Sequence, residues 1–394
     1  MPDRTGGAYG AALTWIYGLT LVSVTAVTFS VAFSSITMGA AIVLLLAVVA
    51  LRGPEVLPRT PLDRLLLLYL AAELLATLFS GERWDSFVNM KRFFLVSFLY
   101  LILLSVRGRE DLLRLVAVPV AVGALLSLVE AFSLTSAGGH IARLSLFQYF
   151  LTEGGIKLIL LLLALPVAIS AAAPRAWRIG AILAFIPLFL GMILTQSRSA
   201  WLGFVAGVCT IGVLRDKRLI LLLVILLVCF ILFAPSDYRA RAASIFDPAM
   251  SSNLSRIHMI STGWRMFLDH PFFGVGDIDL KRLYVTYTVP IEEGEGGHLH
   301  NNVMMLLVTL GLPGFAASMA LFVKLFLVEL RSARGTKADP LLGSISAGCL
   351  AAFVGFQVNG LFEWNFGDHE IAVLFWFTAG VAIVSQRIAE RTRA

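Results

Sequence analysis

An all-α, polytopic membrane fold is predicted by three features of the sequence. Of the 394 residues, 58% are hydrophobic and only 14% are charged, where a soluble domain carries roughly a quarter charged residues. The mean hydropathy is +0.87. About twelve apolar runs of roughly 16–24 residues follow one another with short polar breaks, and a run of about 20 crosses a bilayer core as a helix. A soluble globular enzyme is excluded. The three cysteines, Cys209, Cys229 and Cys349, each fall inside an apolar run. They read as small core residues, giving neither a disulfide framework nor a thiolate metal site.

The first run, 11–33, is too long for the apolar core of a cleaved signal and reads as an uncleaved first span. Further spans are expected at 37–51, 62–79, 93–106, 112–134, 156–173, 177–195, 200–214 and 219–234. The last three are expected at 299–329, interrupted by Gly311-Leu312-Pro313-Gly314, and at 341–358 and 371–386. Alternate connections between them carry the basic residues: Arg4, then Arg52, Arg59 and Arg64, then Arg107, Arg109 and Arg114, then Arg175 and Arg178. Arg215, Lys217 and Arg218 follow, then Arg331, Arg334 and Lys337, and finally Arg387, Arg391 and Arg393. The positive-inside rule places those connections and both termini in the cytoplasm. The net charge of +6 is therefore an orientation signal, and its spread over seven short segments argues against a nucleic-acid partner.

One integrated membrane domain results: spans one to nine over 1–234, a long outer loop over 235–298, and spans ten to twelve over 299–394. A loop this long in an otherwise economical chain is where function is expected. It should contain a helix capped by Ser252 and Asn253, with Leu254, Ile257, Ile260, Trp264 and Phe267 at helical spacing and His270-Pro271 ending it. Gly274-Val275-Gly276 makes a turn, and Glu292, Glu293 and Glu295 read as a solvated acidic stretch. His298-Leu299-His300-Asn301-Asn302 then opens the next span.

His300 begins a helix that enters the membrane from outside. The positive end of the helix dipole disfavours imidazolium there, and a neutral imidazole can act as a general base. His300, Met304, Leu307, Gly311 and Gly314 share a helical face on which the glycines admit a close backbone. Arg198 lies in Thr195-Gln196-Ser197-Arg198-Ser199, a break so short that its guanidinium stays near the hydrocarbon edge. It either snorkels to headgroups or, with a loop arginine, grips a lipid diphosphate. Arg256 and Arg265 are nine residues apart, about 180° around a helix, so they do not serve one site. Lys91 and Arg92 read as interfacial anchors, while Glu73 and Glu130 pair with cations or line a cavity. Asp277, Asp279, the three glutamates and His298 lack the spacing of a metal motif, and no metal or other cofactor is expected. No phosphate loop, serine triad signature or dinucleotide fingerprint is present.

Thr195-Gln196-Ser197-Arg198-Ser199-Ala200-Trp201-Leu202-Gly203, Arg256 with Trp264, His270-Pro271-Phe272-Phe273-Gly274-Val275-Gly276, and His298-Leu299-His300-Asn301 through Gly311-Leu312-Pro313-Gly314 together resemble the O-antigen ligase and polymerase superfamily. Gly360-Leu361-Phe362-Glu363-Trp364-Asn365-Phe366-Gly367-Asp368 resembles that family's final outer loop. The resemblance implies a C-type glycosyltransferase-like membrane enzyme, inverting and metal-independent, with its active site on the periplasmic face of the bacterial inner membrane. Its donor would be an undecaprenyl-diphosphate-linked O antigen and its acceptor a sugar of the lipid A core, itself anchored among membrane lipids. By the same resemblance His300 is the base, Arg198 and Arg256 bind the diphosphate with Arg265 as second choice, and Gln196, Asn301, Gly311 and Gly314 support them. An O-antigen polymerase, a protein O-oligosaccharyltransferase and a non-enzymatic lipid or glycan transporter are the alternatives. A transporter is expected to show internal repeats or charges deep in several spans, and here the polar residues gather on the outer side.

Overall fold

The computed structural model describes residues 7–136, 146–289 and 297–393. Every regular element among them is helical: α1 (Gly7–Ala26), α2 (Val31–Arg52), α3 (Asp63–Phe79), α4 (Arg83–Asn89), α5 (Ser97–Ser105), α6 (Arg109–Ser136), α7 (Phe150–Ile169) and α8 (Arg175–Leu194). They continue as α9 (Arg198–Leu214), α10 (Arg218–Phe233), α11 (Ser236–Ala243), α12 (Ser251–Asp269), α13 (Lys281–Tyr287), α14 (Asn302–Gly335), α15 (Pro340–Asn359) and α16 (His369–Arg393), with short 3-10 segments at Pro54–Val56 and Met90–Val96. Arg4 and the glutamates Glu292, Glu293 and Glu295 lie outside the described residues.

The expected apolar runs become helices, but twelve full spans are not reached. Nine helical stretches among the described residues are long and apolar enough to cross a bilayer, or ten if α10 and α11, bent by 120° against each other, count as one. The shortfall is one of length. α3 and α9 have 17 residues and α10 has 16, which at 1.5 Å per residue gives about 25 Å against a hydrocarbon core of about 30 Å. The single first run expected at 11–33 is divided, because α1 stops at Ala26 and Ser30 caps α2 by accepting from the Phe33 N–H. Cys349 is buried as expected, whereas Cys229 faces outward on the peripheral α10.

Helices α7, α15 and α16 are buried along most of their length and form the centre of the bundle. Their packing brings α9, which begins at Arg198, against α15: a side chain on Gly203 would meet the Gly355 carbonyl at 2.6 Å. Small residues permit this backbone approach, the usual means of helix association in lipid. At one end of the bundle, basic side chains tie the connections together. Arg109 pairs with Asp339 at 2.7 Å, Arg387 donates to the Arg59 carbonyl at 2.6 Å, and Arg393 donates to the Gly335 carbonyl at 2.7 Å. The described part of the long connection, 235–289, lies at the other end, where Arg256 donates to the Phe362 carbonyl beyond α15.

What holds that connection down is a break in α14. This helix runs for 34 residues, longer than a span requires, and Gly311 leaves the helical conformation at φ 64°, ψ −174°. Pro313 has no N–H for the Thr309 carbonyl, and the Leu312 N–H turns away to the Pro271 carbonyl at 2.8 Å. Two carbonyls are thereby released inside the protein, where unpaired polar groups are costly. The chain after α12 satisfies both: Val275 N–H donates to Val308 at 2.9 Å, and Gly276 N–H donates to Thr309 at 3.0 Å. The close backbone expected over Gly311 is thus 271–276. Gly274, at φ 66°, leaves no room for a side chain, since a Cβ would lie 2.4 Å from the Thr309 carbonyl group.

Gly274→Ala is therefore expected to destabilise the protein strongly. The left-handed backbone alone costs an L-residue about 1–2 kcal/mol, and the clash adds to it. Thermal unfolding of the purified protein checks this, and an unchanged midpoint would contradict the docking described.

Candidate active site

His300 lies two residues before α14, whose N-cap is Asn301: the Asn301 side chain accepts from Met304 N–H at 2.9 Å and donates to the Leu361 carbonyl at 2.8 Å. The neighbouring Asn302 N–H donates to the Gly360 carbonyl at 2.7 Å, and the Asn302 side chain accepts from Asn365 N–H at 2.9 Å. The start of α14 is stitched in this way to the loop between α15 and α16. His300 itself has φ 45°, a strained conformation for a residue with a side chain, and its ring turns toward that loop.

The partner is Glu363, which the sequence reading left without a role. Its Oε1 lies 2.5 Å from His300 Nδ1 and 3.7 Å from His298 Nε2, and its Oε2 lies 3.8 Å from the Arg256 guanidinium. Burial raises the Glu363 carboxyl pKa, but the neighbouring His298, His300 and Arg256 hold it down at about 2. The group is therefore a carboxylate at neutral pH. In a singly protonated ring the Nδ1–H is directed at that carboxylate, which leaves Nε2 as the acceptor. The hydrogen-bond network assigns this tautomer. The carboxylate gives the ring a fixed orientation.

Arg256 also donates to the Phe362 carbonyl at 3.0 Å, so it grips the same loop. Together with Arg198, Arg241 and Phe362 it lines a cleft beside Glu363. Arg198 is not an interfacial anchor. It is only 7% exposed, and its guanidinium donates to Ser244, Ser252 and Asn253 at 2.7–2.9 Å. Asn253 is drawn into this network, donating also to the Ser244 and Asp247 carbonyls, so the expected cap by Ser252 and Asn253 is not formed and α12 starts from Met250. Gln196, at φ 53°, makes the turn before α9 and offers its carbonyl to Arg241 at 3.2 Å. Arg241 is a cleft residue that the sequence reading missed.

Arg265 faces elsewhere, donating to the Tyr287 carbonyl at 2.9 Å and to Ser261 and Thr262. Among the loop arginines proposed for the site, the structure thus brings Arg256 to the cleft and sets Arg265 against α13. Gly311 and Gly314 act at a distance. Gly311 takes the α14 break, and a side chain on Gly314 would meet Ala72 of α3 at 3.3 Å.

Arg92, expected at the interface, instead pairs with Asp277 at 2.5 Å. Asp279 caps the Lys281 N–H at 2.9 Å, so these two aspartates and His298 do not assemble. A different trio does come together: His298, His300 and Glu363 offer ligand atoms within 4.8 Å of one another. Two imidazoles and a carboxylate are a chemically reasonable transition-metal donor set.

A group whose pKa is depressed by folding stabilises the fold fully above its unfolded value and loses that contribution as pH falls through the folded one. For Glu363 the window runs from the usual 4.5 down to about 2, worth about 3 kcal/mol at most. Denaturant unfolding at several pH values is expected to show this loss, and Glu363→Gln is expected to remove that part of the pH dependence. Parallel curves for the two proteins would contradict the assignment.

A search of curated proteins found no match to this chain. A family model described as O-Antigen ligase matches residues 183–319, which takes in the second half of α8, the Arg198 turn, the long connection with Arg256, His300, and the α14 break. The match supports assigning the chain to the O-antigen ligase family.

Proposed function

We propose that this protein is an inverting O-antigen ligase, transferring a glycan from undecaprenyl diphosphate to a sugar hydroxyl of the lipid A core. The observation that carries this reading is a histidine held by a carboxylate at the rim of a cleft lined by arginines. Glu363 accepts the Nδ1 proton of His300 and orients the ring. Nε2 then takes the proton of the acceptor hydroxyl as its oxygen attacks the anomeric carbon. The bond from that carbon to the diphosphate oxygen breaks with inversion, and the proton leaves His300 for bulk water. Negative charge builds on the diphosphate, and Arg198 and Arg256 are positioned to neutralise it, with Arg241 alongside. Fixed donors aimed at developing charge are commonly the largest contribution to catalysis.

The reading needs no metal, because the guanidinium groups supply the positive charge. His298, His300 and Glu363 would be the donors if an ion took part. The basic end of the bundle lies opposite this site, which by the positive-inside rule supports a periplasmic active site in the inner membrane. Acceptor choice is not written into these residues. A polymerase would use the same donor grip and the same base.

Transfer from lipid-linked O antigen to lipid A core by purified protein tests the reading. His300→Ala is expected to lower kcat by about a hundred- to ten-thousand-fold, the usual contribution of a general base, and to leave donor binding in place. Arg198→Ala is expected to raise the donor KM. Retained transfer in the first variant would remove the base, and an unchanged donor KM in the second would remove the diphosphate role. Chelator is expected to leave the rate unchanged, whereas loss restored by a divalent ion would make the enzyme metal-dependent. Longer carrier-linked chains in place of glycan-capped lipid A core would make it a polymerase.

A further inference from the structure

Three consecutive residues of the loop between α15 and α16 face three different surroundings. Phe362 lines the arginine cleft, and Glu363 holds His300. Trp364 lines a second cavity, which shares no lining residue with the first. This second cavity lies among α3, the 3-10 segment Met90–Val96, both arms of α14 and α16. Its wall includes Tyr69, Glu73, Arg92, Asp277, Trp364 and Trp376.

The wall is mixed in a particular way. Arg92 makes two contacts with Asp277, at 2.5 and 2.8 Å, and its guanidinium carbon stands 5.9 Å from the centre of the Trp364 ring. Glu73 is 8% exposed. Its Oε1 accepts from the Tyr69 hydroxyl at 2.6 Å, and its Oε2 has no hydrogen-bond partner among the described residues. A buried oxygen left in this way is uncommon and calls for a partner. Carboxylate and guanidinium groups held beside aromatic rings suit the hydroxylated edge of a sugar, whose hydroxyls both donate and accept. An anionic diphosphate is disfavoured, because Glu73 and Asp277 both present acidic oxygens. A lipid chain is disfavoured by the charged wall.

We infer that this cavity is the subsite for the acceptor sugar, with Glu73 accepting a hydrogen bond from a ring hydroxyl. The inference rests on the transferase reading above and deepens it. The acceptor oxygen must meet the anomeric carbon beside His300, and the consecutive residues Phe362, Glu363 and Trp364 connect both cavities to that histidine. The space is narrow, enough for a few water-sized groups, so it receives the hydroxylated edge of one ring.

Initial rates of the full-length protein in lipid nanodiscs, measured against lipid A core at saturating donor and against donor at saturating acceptor, test this. Glu73→Gln is expected to raise the acceptor KM at least tenfold, with the donor KM and kcat within twofold of the parent. Tyr69→Phe, which removes one hydroxyl and orphans the other carboxylate oxygen, is the milder second variant and is expected to raise the acceptor KM about threefold. Acceptor KM unchanged in either folded variant, or donor and acceptor KM rising together, would overturn the subsite. His300→Ala separates the two claims. If it abolishes transfer while the Glu73 and Tyr69 variants leave the acceptor KM untouched, only the subsite fails; if it does not abolish transfer, the catalytic reading fails first.

Discussion

A missing N–H at Pro313 organises the half of this protein that carries the long connection. Helix α14 cannot close its ladder there, and Gly311 turns out of the helix. The carbonyls of Val308 and Thr309 then become the anchor for Val275 and Gly276. An irregular backbone at membrane depth is tolerated only where protein re-satisfies it, and here a segment of the long connection does so. Because Gly274 and Gly311 face each other with no space for side chains, the docking has essentially one register. It fixes α12 over α14, and α12 carries Arg256 on the side of the final loop. A helix defect and its repair thus decide where Arg256 stands.

Strain collects at the same place. Among the described residues the only non-glycine positions with positive φ are Gln196 and His300, and each such conformation costs of order 1–3 kcal/mol. Both stand at the edge of the arginine cleft, one before Arg198 and one beside Glu363. The contacts that hold them are local and numerous: Asn301 and Asn302 to the loop at 360–365, and Arg241 to the Gln196 carbonyl. Strain that is over-determined by its surroundings in this way is a mark of pre-organisation, and here it holds His300 and the cleft arginines in fixed places.

Apolar runs and their bounding arginines made the helical membrane fold legible, and the spacing of His300, Asn301, Gly311 and Gly314 marked the right helix. The spacing of Leu254, Ile257 and Ile260 likewise located α12. Span number was less accessible, because an apolar run of 16 or 17 residues reads as a span in sequence while as a helix it measures short. Glu363 was named only as part of a motif. Its role depends on a contact across 63 positions, and the available signal was an acidic residue in a short outer loop facing a histidine. Arg92 was misread for the same reason: its partner Asp277 is 185 positions away, and nothing local distinguishes a paired arginine from an interfacial one. Periodicity reveals what a helix buries. It is silent on which polar side chains meet across the bundle.

The central claim is that Glu363 and His300 act as one unit, so that the carboxylate works through the imidazole. A double-mutant cycle on kcat/KM with Glu363→Gln and His300→Gln measures this directly, because residues in one network couple. Loss of Glu363 in the parent background is expected to lower the rate substantially, and in the His300→Gln background to change it by less than twofold. The same fractional loss in both backgrounds would show that Glu363 contributes independently of His300 and would contradict the account.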